Sequence, residues 1–266
     1  MERFFRRVFS GELATLWTDY RIPPYTLIPP VRDLRAPGGF ARLYHCWLNA
    51  IRQYQQYQPA RSRPRLLVKC IRANLLLGWI ASRFDARVLL LVRHPAAVVE
   101  SKLRLGGRSW DPARILDVYK RDENLPALGG GRYVDLLHKD LTDAEALALV
   151  WCIENQVPMA EARENGYLLV HYEDLVGDGG QIWDRIANFF GLEASGWDTD
   201  LIRSPSQQAS ADFKKAEGPR QASRPGWMTR MRSEDLRDVD GILKAVGLTA
   251  YDVNEAFPTQ EAEIRS

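Results

Sequence analysis

The period of hydrophobic and polar positions changes several times along this chain, and each change predicts an element. Val88–Val92 reads VLLLV, apolar without a break, and Arg93-His94-Pro95 follows it. An apolar run of that length, bounded by a turn, predicts a buried parallel strand over 87–92. Helical spacing takes over at 95–104, where Pro95 suits a first helical turn because its missing N–H would be unpaired there anyway. Arg93 then falls at the carboxyl end of a buried strand, the edge at which open α/β sheets bind ligands. Ser101, eight residues further on, falls about two turns into the helix.

Similar reasoning covers the rest of the chain. Phe5, Val8, Phe9, Leu13, Leu16 and Trp17 predict a helix within 1–20. Residues 21–39, with Pro23, Pro24, Pro29, Pro30 and Pro37-Gly38-Gly39, read as a loop. Leu43, Trp47, Ala50, Ile51 and Tyr54 share one face of a helix over 40–57. A strand at 66–70 leads to a helix at about 72–83. Residues 105–140 are mixed; no strand leads into Gly129-Gly130-Gly131, which therefore reads as a flexible loop and not a phosphate cradle. A helix over 142–165 stops at Gly166. A strand at 167–171 and a helix at 179–190 come next, then a Ser/Gly/Pro/Arg-rich loop over 195–230. The last helix spans 233–247, with Ser233 as cap and Glu234 and Asp235 behind it. Strands alternating with helices predict an α/β fold, and no internal repeat divides residues 1–266, which read as one domain.

Composition narrows the class. A chain of 266 residues, 45% hydrophobic and 26% charged, is ordinary for a globular protein with a sizeable core. A formal charge of +2 gives no reason to expect nucleic acid or a membrane surface as partner. Basic residues gather locally instead: Arg61, Arg63, Arg65, Lys69 and Arg72 in one cluster, Lys214, Lys215, Arg220 and Arg224 in another. Cys46, Cys70 and Cys152 lack metal-ligand spacing and read as small buried hydrophobes in a reducing compartment. His45, His94, His138 and His171 form no metal signature. No run reaches transmembrane length, and Met1–Ser10 lacks the apolar core of a signal peptide, so a cytoplasmic location is expected.

The strand-end arginine and the helix serine offer a rigid cationic fork and a hydroxyl donor to one anion, of which phosphate fits best. This pair resembles the 3′-phosphate-binding motif of sulfotransferases that use 3′-phosphoadenosine-5′-phosphosulfate (PAPS). Other segments resemble that family in order. RLLVKCIRANLLLGWIASR (65–83) is similar to its strand, lysine and helix, and LVWCIENQVP (149–158) to a later helix carrying Trp and Asn. LLVHYEDL (168–175) is similar to its strand and Tyr-Glu-Asp-Leu turn, and IANFFGL (186–192) to the helix end after it. The resemblance spans roughly 62–250.

The resemblance implies a three-layer α/β/α fold of the P-loop nucleoside-triphosphate-hydrolase-like type, around a central parallel sheet. It implies sulfuryl transfer from PAPS to a hydroxyl of a carbohydrate, lipid or small-molecule acceptor, with no metal. Arg93 and Ser101 would hold the 3′-phosphate, and Tyr172 would contact the adenine side. Arg220, Ser223, Arg224 and Trp227 match the loop that closes over the cofactor. Lys69 matches the lysine near the bridging oxygen, with a solvated strand-end lysine as the other reading. The histidine of a Lys-Thr-His run is absent, since the run here is Lys69-Cys70-Ile71; Gly11-Glu12 leaves Glu12 as the candidate base.

One family feature is missing. The strand and Pro-Arg-Ser-Gly-Thr-like loop that hold the 5′-phosphosulfate occur nowhere in the 266 residues. Such loops matter because backbone N–H groups and a helix N-terminus cradle the anion. The strand belongs beside the one ending in Arg93, so its loss leaves unpaired edges. Truncation of a longer protein is therefore the expectation, with structural substitution by residues 1–20 and a non-catalytic relative binding a nucleotide or partner as the two alternatives. A P-loop kinase is disfavoured, because no Gly-Lys-Ser/Thr run is present.

Overall fold

The computed structural model describes residues 68–71, 73–106, 111–177, 179–192 and 226–259, together with Glu2 and Arg6. The chain clusters into two compact units, 1–73 and 74–266. In the first, Glu2 and Arg6 pair across one helical turn at 2.7 Å. Val68, Lys69 and Cys70 carry no strand assignment, although a strand is predicted at 66–70. An apolar run becomes a strand only where a neighbour completes its ladder. Cys70 is exposed rather than a buried hydrophobe, whereas Cys152 is buried as expected.

The second unit is mixed α/β, mostly helical, with a small parallel sheet. A 3₁₀ turn at Asn74–Leu76 runs into α1 (Leu77–Phe84), followed by β1 (Leu89–Val92) and α2 (Pro95–Leu105). Then come α3 (Pro112–Lys120), a 3₁₀ turn (Leu125–Gly131), α4 (Val134–Leu137) and α5 (Asp143–Glu164). After β2 (Leu168–His171) follow α6 (Tyr172–Gly177), α7 (Gly179–Phe190), α8 (Trp227–Arg230) and α9 (Ser233–Ala245).

Local chemistry sets the ends of these elements. Thr142 and Glu145 form a reciprocal capping box that starts α5: the Glu145 N–H donates to Thr142 Oγ1 and the Thr142 N–H to Glu145 Oε2. At the other end Gly166 takes φ +67°, and the Tyr167 N–H reaches the Ala162 carbonyl at 2.8 Å. That bond closes a left-handed helix cap, which glycine enters without a Cβ clash. Ser233, predicted as a cap, is instead the first residue of α9. Arg232 holds the cap position without a side-chain cap bond, its guanidinium turned to Asp235 at 2.7 Å. The Gly129–Gly131 triplet lies in a 3₁₀ turn, not a loop.

β1 and β2 pair in parallel with Leu89 opposite Leu168 and Val92 opposite His171. Helices line both faces. Leu90, Val92 and Leu169 join the main core with α2, α5 and α9. Leu168, Val170 and Leu89 join a smaller core with Ile182, Trp183 and Ile186 of α7. β2 is buried along its whole length, but Leu91 of β1 is 48% exposed. β1 is parallel as predicted, yet not buried on both faces. Among the described residues its other edge has no strand beside it. No described helix is long and apolar enough to cross a membrane.

Candidate functional site

Register builds the site. Because Val92 pairs with His171, the residues that follow each strand emerge side by side at the carboxyl edge. Arg93 and Tyr172 meet there, with the guanidinium carbon 5.3 Å from the ring centroid. A cation over a tyrosine face gains electrostatic attraction while its N–H groups stay free to bind in the guanidinium plane. Arg93 is exposed and makes no ion pair among the described residues. Two residues selected separately from the sequence are thus brought together.

The turn beneath Arg93 is held from four sides. The Trp151 indole N–H of α5 donates to the Arg93 carbonyl at 3.1 Å. Asn155 Nδ2 donates back to the Trp151 carbonyl at 2.8 Å, and Asn74 Nδ2 donates to Asn155 Oδ1 at 3.2 Å. The His94 N–H donates to Glu173 Oε1 at 2.9 Å. The His94 ring stacks on Trp227, centroids 4.5 Å apart, and meets the edge of Tyr251 at 4.9 Å.

Histidine 94 is structural. It caps α2 by accepting the Ala96 N–H at Nδ1, so the proton sits on Nε2, 3.2 Å and 3.1 Å being the distances to Ala96 N and to the Asp252 carbonyl. It is fully buried, and burial pushes its pKa down to about 4, against a smaller upward pull from Asp252. Burial likewise pushes His171 down to about 4, helped by Arg185. His171 Nδ1 lies 2.6 Å from the Tyr251 hydroxyl, whose own titration burial drives far upward. Burial therefore keeps both His94 and His171 neutral at pH 7.

Glu173 differs. It is 8% exposed, and burial raises its carboxyl to about 7 despite the His94 N–H and the nearby Arg93 charge. Its second oxygen, Oε2, is buried without a partner among the described residues. In the sequence Glu173 is only part of the Tyr-Glu-Asp-Leu turn; in the structure it reaches across to the neighbouring strand end.

Ser101 lies half-buried on α2, with no hydrogen-bond partner among the described residues. Trp227, expected in a loop contacting the cofactor, is 2% exposed in α8 and braces His94 from behind. Lys69 is exposed and belongs to the first compact unit. Glu12, Arg220, Ser223 and Arg224 lie outside the described residues. Tyr251 and Asp252 follow α9 and carry no motif that the sequence reading recognises; only the fold shows that they pack on His94.

A cleft of about 710 Å³ opens at the opposite, amino ends of the strands, lined by Asp85, Arg87, Val88, Tyr167 and Phe189 among others. Its arginine already donates to the Phe189 carbonyl at 2.7 Å. The Arg93–Tyr172 contact and the Glu173–His94 bond lie instead at the carboxyl edge. No group of acidic, His or Cys side chains arranged to hold a metal occurs among the described residues. No family model, curated protein or solved structure matches the chain.

Proposed function

We propose that this chain is a cytoplasmic protein of the P-loop-like sulfotransferase fold that binds PAPS, with the Arg93 turn receiving the 3′-phosphate. The observation that carries this reading is the Arg93–Tyr172 pair at the carboxyl edge of two parallel strands. An arginine with its backbone held by Trp151 and its fork uncommitted is pre-organised for a bidentate phosphate contact. Ser101 adds a hydroxyl from α2, and Tyr172 would contact the adenine side of the nucleotide. Selection for a 3′-phosphate separates this nucleotide from AMP or ATP.

In the reaction, the acceptor hydroxyl oxygen forms a bond to sulfur while the bond from sulfur to the bridging phosphate oxygen breaks. The hydroxyl proton passes to a base, for which Glu12 remains the candidate. Adenosine 3′,5′-bisphosphate leaves, and Lys69 would steady the charge that builds on the bridging oxygen. The acceptor is a small molecule or glycan.

A second reading is a non-catalytic relative that binds a nucleotide or partner. The half-exposed Leu91 and the absent phosphosulfate loop favour it. Turnover decides between them. The chain is incubated with PAPS and a panel of sugar, lipid and phenolic hydroxyls, and release of the bisphosphate is followed. Acceptor-dependent release, lost in Lys69→Ala, supports the transferase; nucleotide binding without release supports the second reading.

A further inference from the structure

We propose that Glu173 is a positioning residue that couples anion binding at Arg93 to the uptake of one proton. The inference rests on the reading of Arg93 as an anion site. Its basis is geometric. Glu173 follows Tyr172, whose ring lies against the Arg93 guanidinium. Its Oε1 accepts the N–H of His94, the residue that follows Arg93. The carboxyl therefore holds both strand ends that form the site, while its Oε2 is buried without a partner among the described residues.

The charges facing it come from several elements. Arg93, at the end of β1, draws the carboxyl towards its ionised form, and Asp174, on its own helix, pushes the other way. His94 is held neutral by burial, as is His171 of β2, with Arg185 of α7 behind it. Tyr251 keeps its proton, and Asp252, held low chiefly by the Asn254 N–H, stays ionised. Near neutral pH Glu173 is thus the group among these that changes charge.

A phosphate dianion at Arg93 would neutralise the cation that favours the Glu173 carboxylate and add like charge beside it. Both effects favour the protonated acid, in which Oε2 becomes a donor instead of an orphan acceptor. Binding then takes up a proton wherever the free protein holds Glu173 ionised. By linkage, affinity falls as pH rises above neutrality, by up to about tenfold per pH unit. The ligand's phosphates, with second pKa values near 6, are already dianionic there.

The test is calorimetry with adenosine 3′,5′-bisphosphate at pH 7, 8 and 9, each in two buffers of different ionisation enthalpy. The wild type should take up a substantial fraction of one proton at pH 8, with Kd weakening severalfold or more by pH 9. Glu173→Gln, which keeps an acceptor for the His94 N–H, should bind with no uptake and a flat profile. Uptake in both proteins, or in neither, overturns the inference. Absence of binding by the wild type at every pH overturns the proposed function instead. The coupling is then decided without ligand, from the ¹³C resonance of the Glu173 carboxyl. Arg93→Gln should raise its titration midpoint by half a pH unit or more, and an unchanged midpoint refutes the coupling.

Discussion

The Trp151 indole N–H donates to the Arg93 carbonyl at 3.1 Å, which fixes the strand-end turn to the longest described helix, α5. Trp151 is 3% exposed, so its indole N–H has no water as a substitute partner. Trp151→Phe keeps most of the packing but removes the donor that holds the Arg93 carbonyl. The expected cost is about 1–3 kcal/mol, read from urea unfolding. A loss below ~0.5 kcal/mol would mean that the turn is held by other contacts.

Trp227 packs on His94 with centroids 4.5 Å apart and is 2% exposed. Truncating a buried aromatic to alanine costs about 3–5 kcal/mol. Trp227→Ala should lose stability on that scale with or without ligand, whereas Trp227→Phe should retain most of it. If Trp227→Ala unfolds like wild type but loses nucleotide affinity, Trp227 touches the ligand and does not brace the turn.

Glu100 of α2 accepts Arg230 Nε at 2.9 Å and NH2 at 3.2 Å, and Arg104 Nε at 3.2 Å. The Glu100 side chain is 7% exposed and that of Arg230 34%. Arg230→Gln removes the fork but leaves Arg104, so a loss of about 1–2 kcal/mol is expected, less than for a fully orphaned buried charge. Glu100→Gln in the same background should recover part of it. A double-mutant cycle with no coupling would show that the pair does not anchor α8 on α2.

Stability should depend on pH in two opposed ways. His94 and His171 have folded values near 4 against an ordinary 6.5. As pH falls, the unfolded chain takes up these protons first, so stability drops between about 6.5 and 4, by ~1.4 kcal/mol per pH unit for each histidine. Glu173 acts in the other direction: its folded value is about 7 against an ordinary 4.5. Its ionised form is unfavourable above 7, and that cost is relieved as pH falls towards 4.5. Glu173→Gln should therefore be more stable at pH 8, by up to about 3 kcal/mol. It should also lose stability more steeply on acidification. Denaturant midpoints at pH 8, 6.5 and 5 check this, and an unchanged acid slope would refute the account.

The elements carried by strong periodicity were legible in the chain. The helix at 179–190 and the stop at Gly166 agree with the structure, because amphipathic spacing and a left-handed glycine are local properties. Arg93 and Tyr172 were singled out separately from ordered motifs; their contact depends on the parallel register of two strands far apart in sequence. The Glu173–His94 bond was not legible, since an acidic residue at a helix start is ordinarily a local cap. Trp227 reads from the sequence as a loop contact because a short helix after a Ser/Gly/Pro/Arg-rich run has too few residues to show periodicity. Tyr251 and Asp252 act through tertiary packing alone.

The most direct measurement is a thermal shift with adenosine 3′,5′-bisphosphate and, separately, with AMP, on wild type and Arg93→Ala. A ligand that binds the folded state alone stabilises by RT ln(1 + [L]/Kd), about 2.7 kcal/mol at a hundredfold excess over Kd. The account predicts a rise in Tm with the bisphosphate, little with AMP, and loss of the difference in Arg93→Ala. Equal shifts with both nucleotides, or a bisphosphate shift that survives Arg93→Ala, would contradict a 3′-phosphate site at this turn.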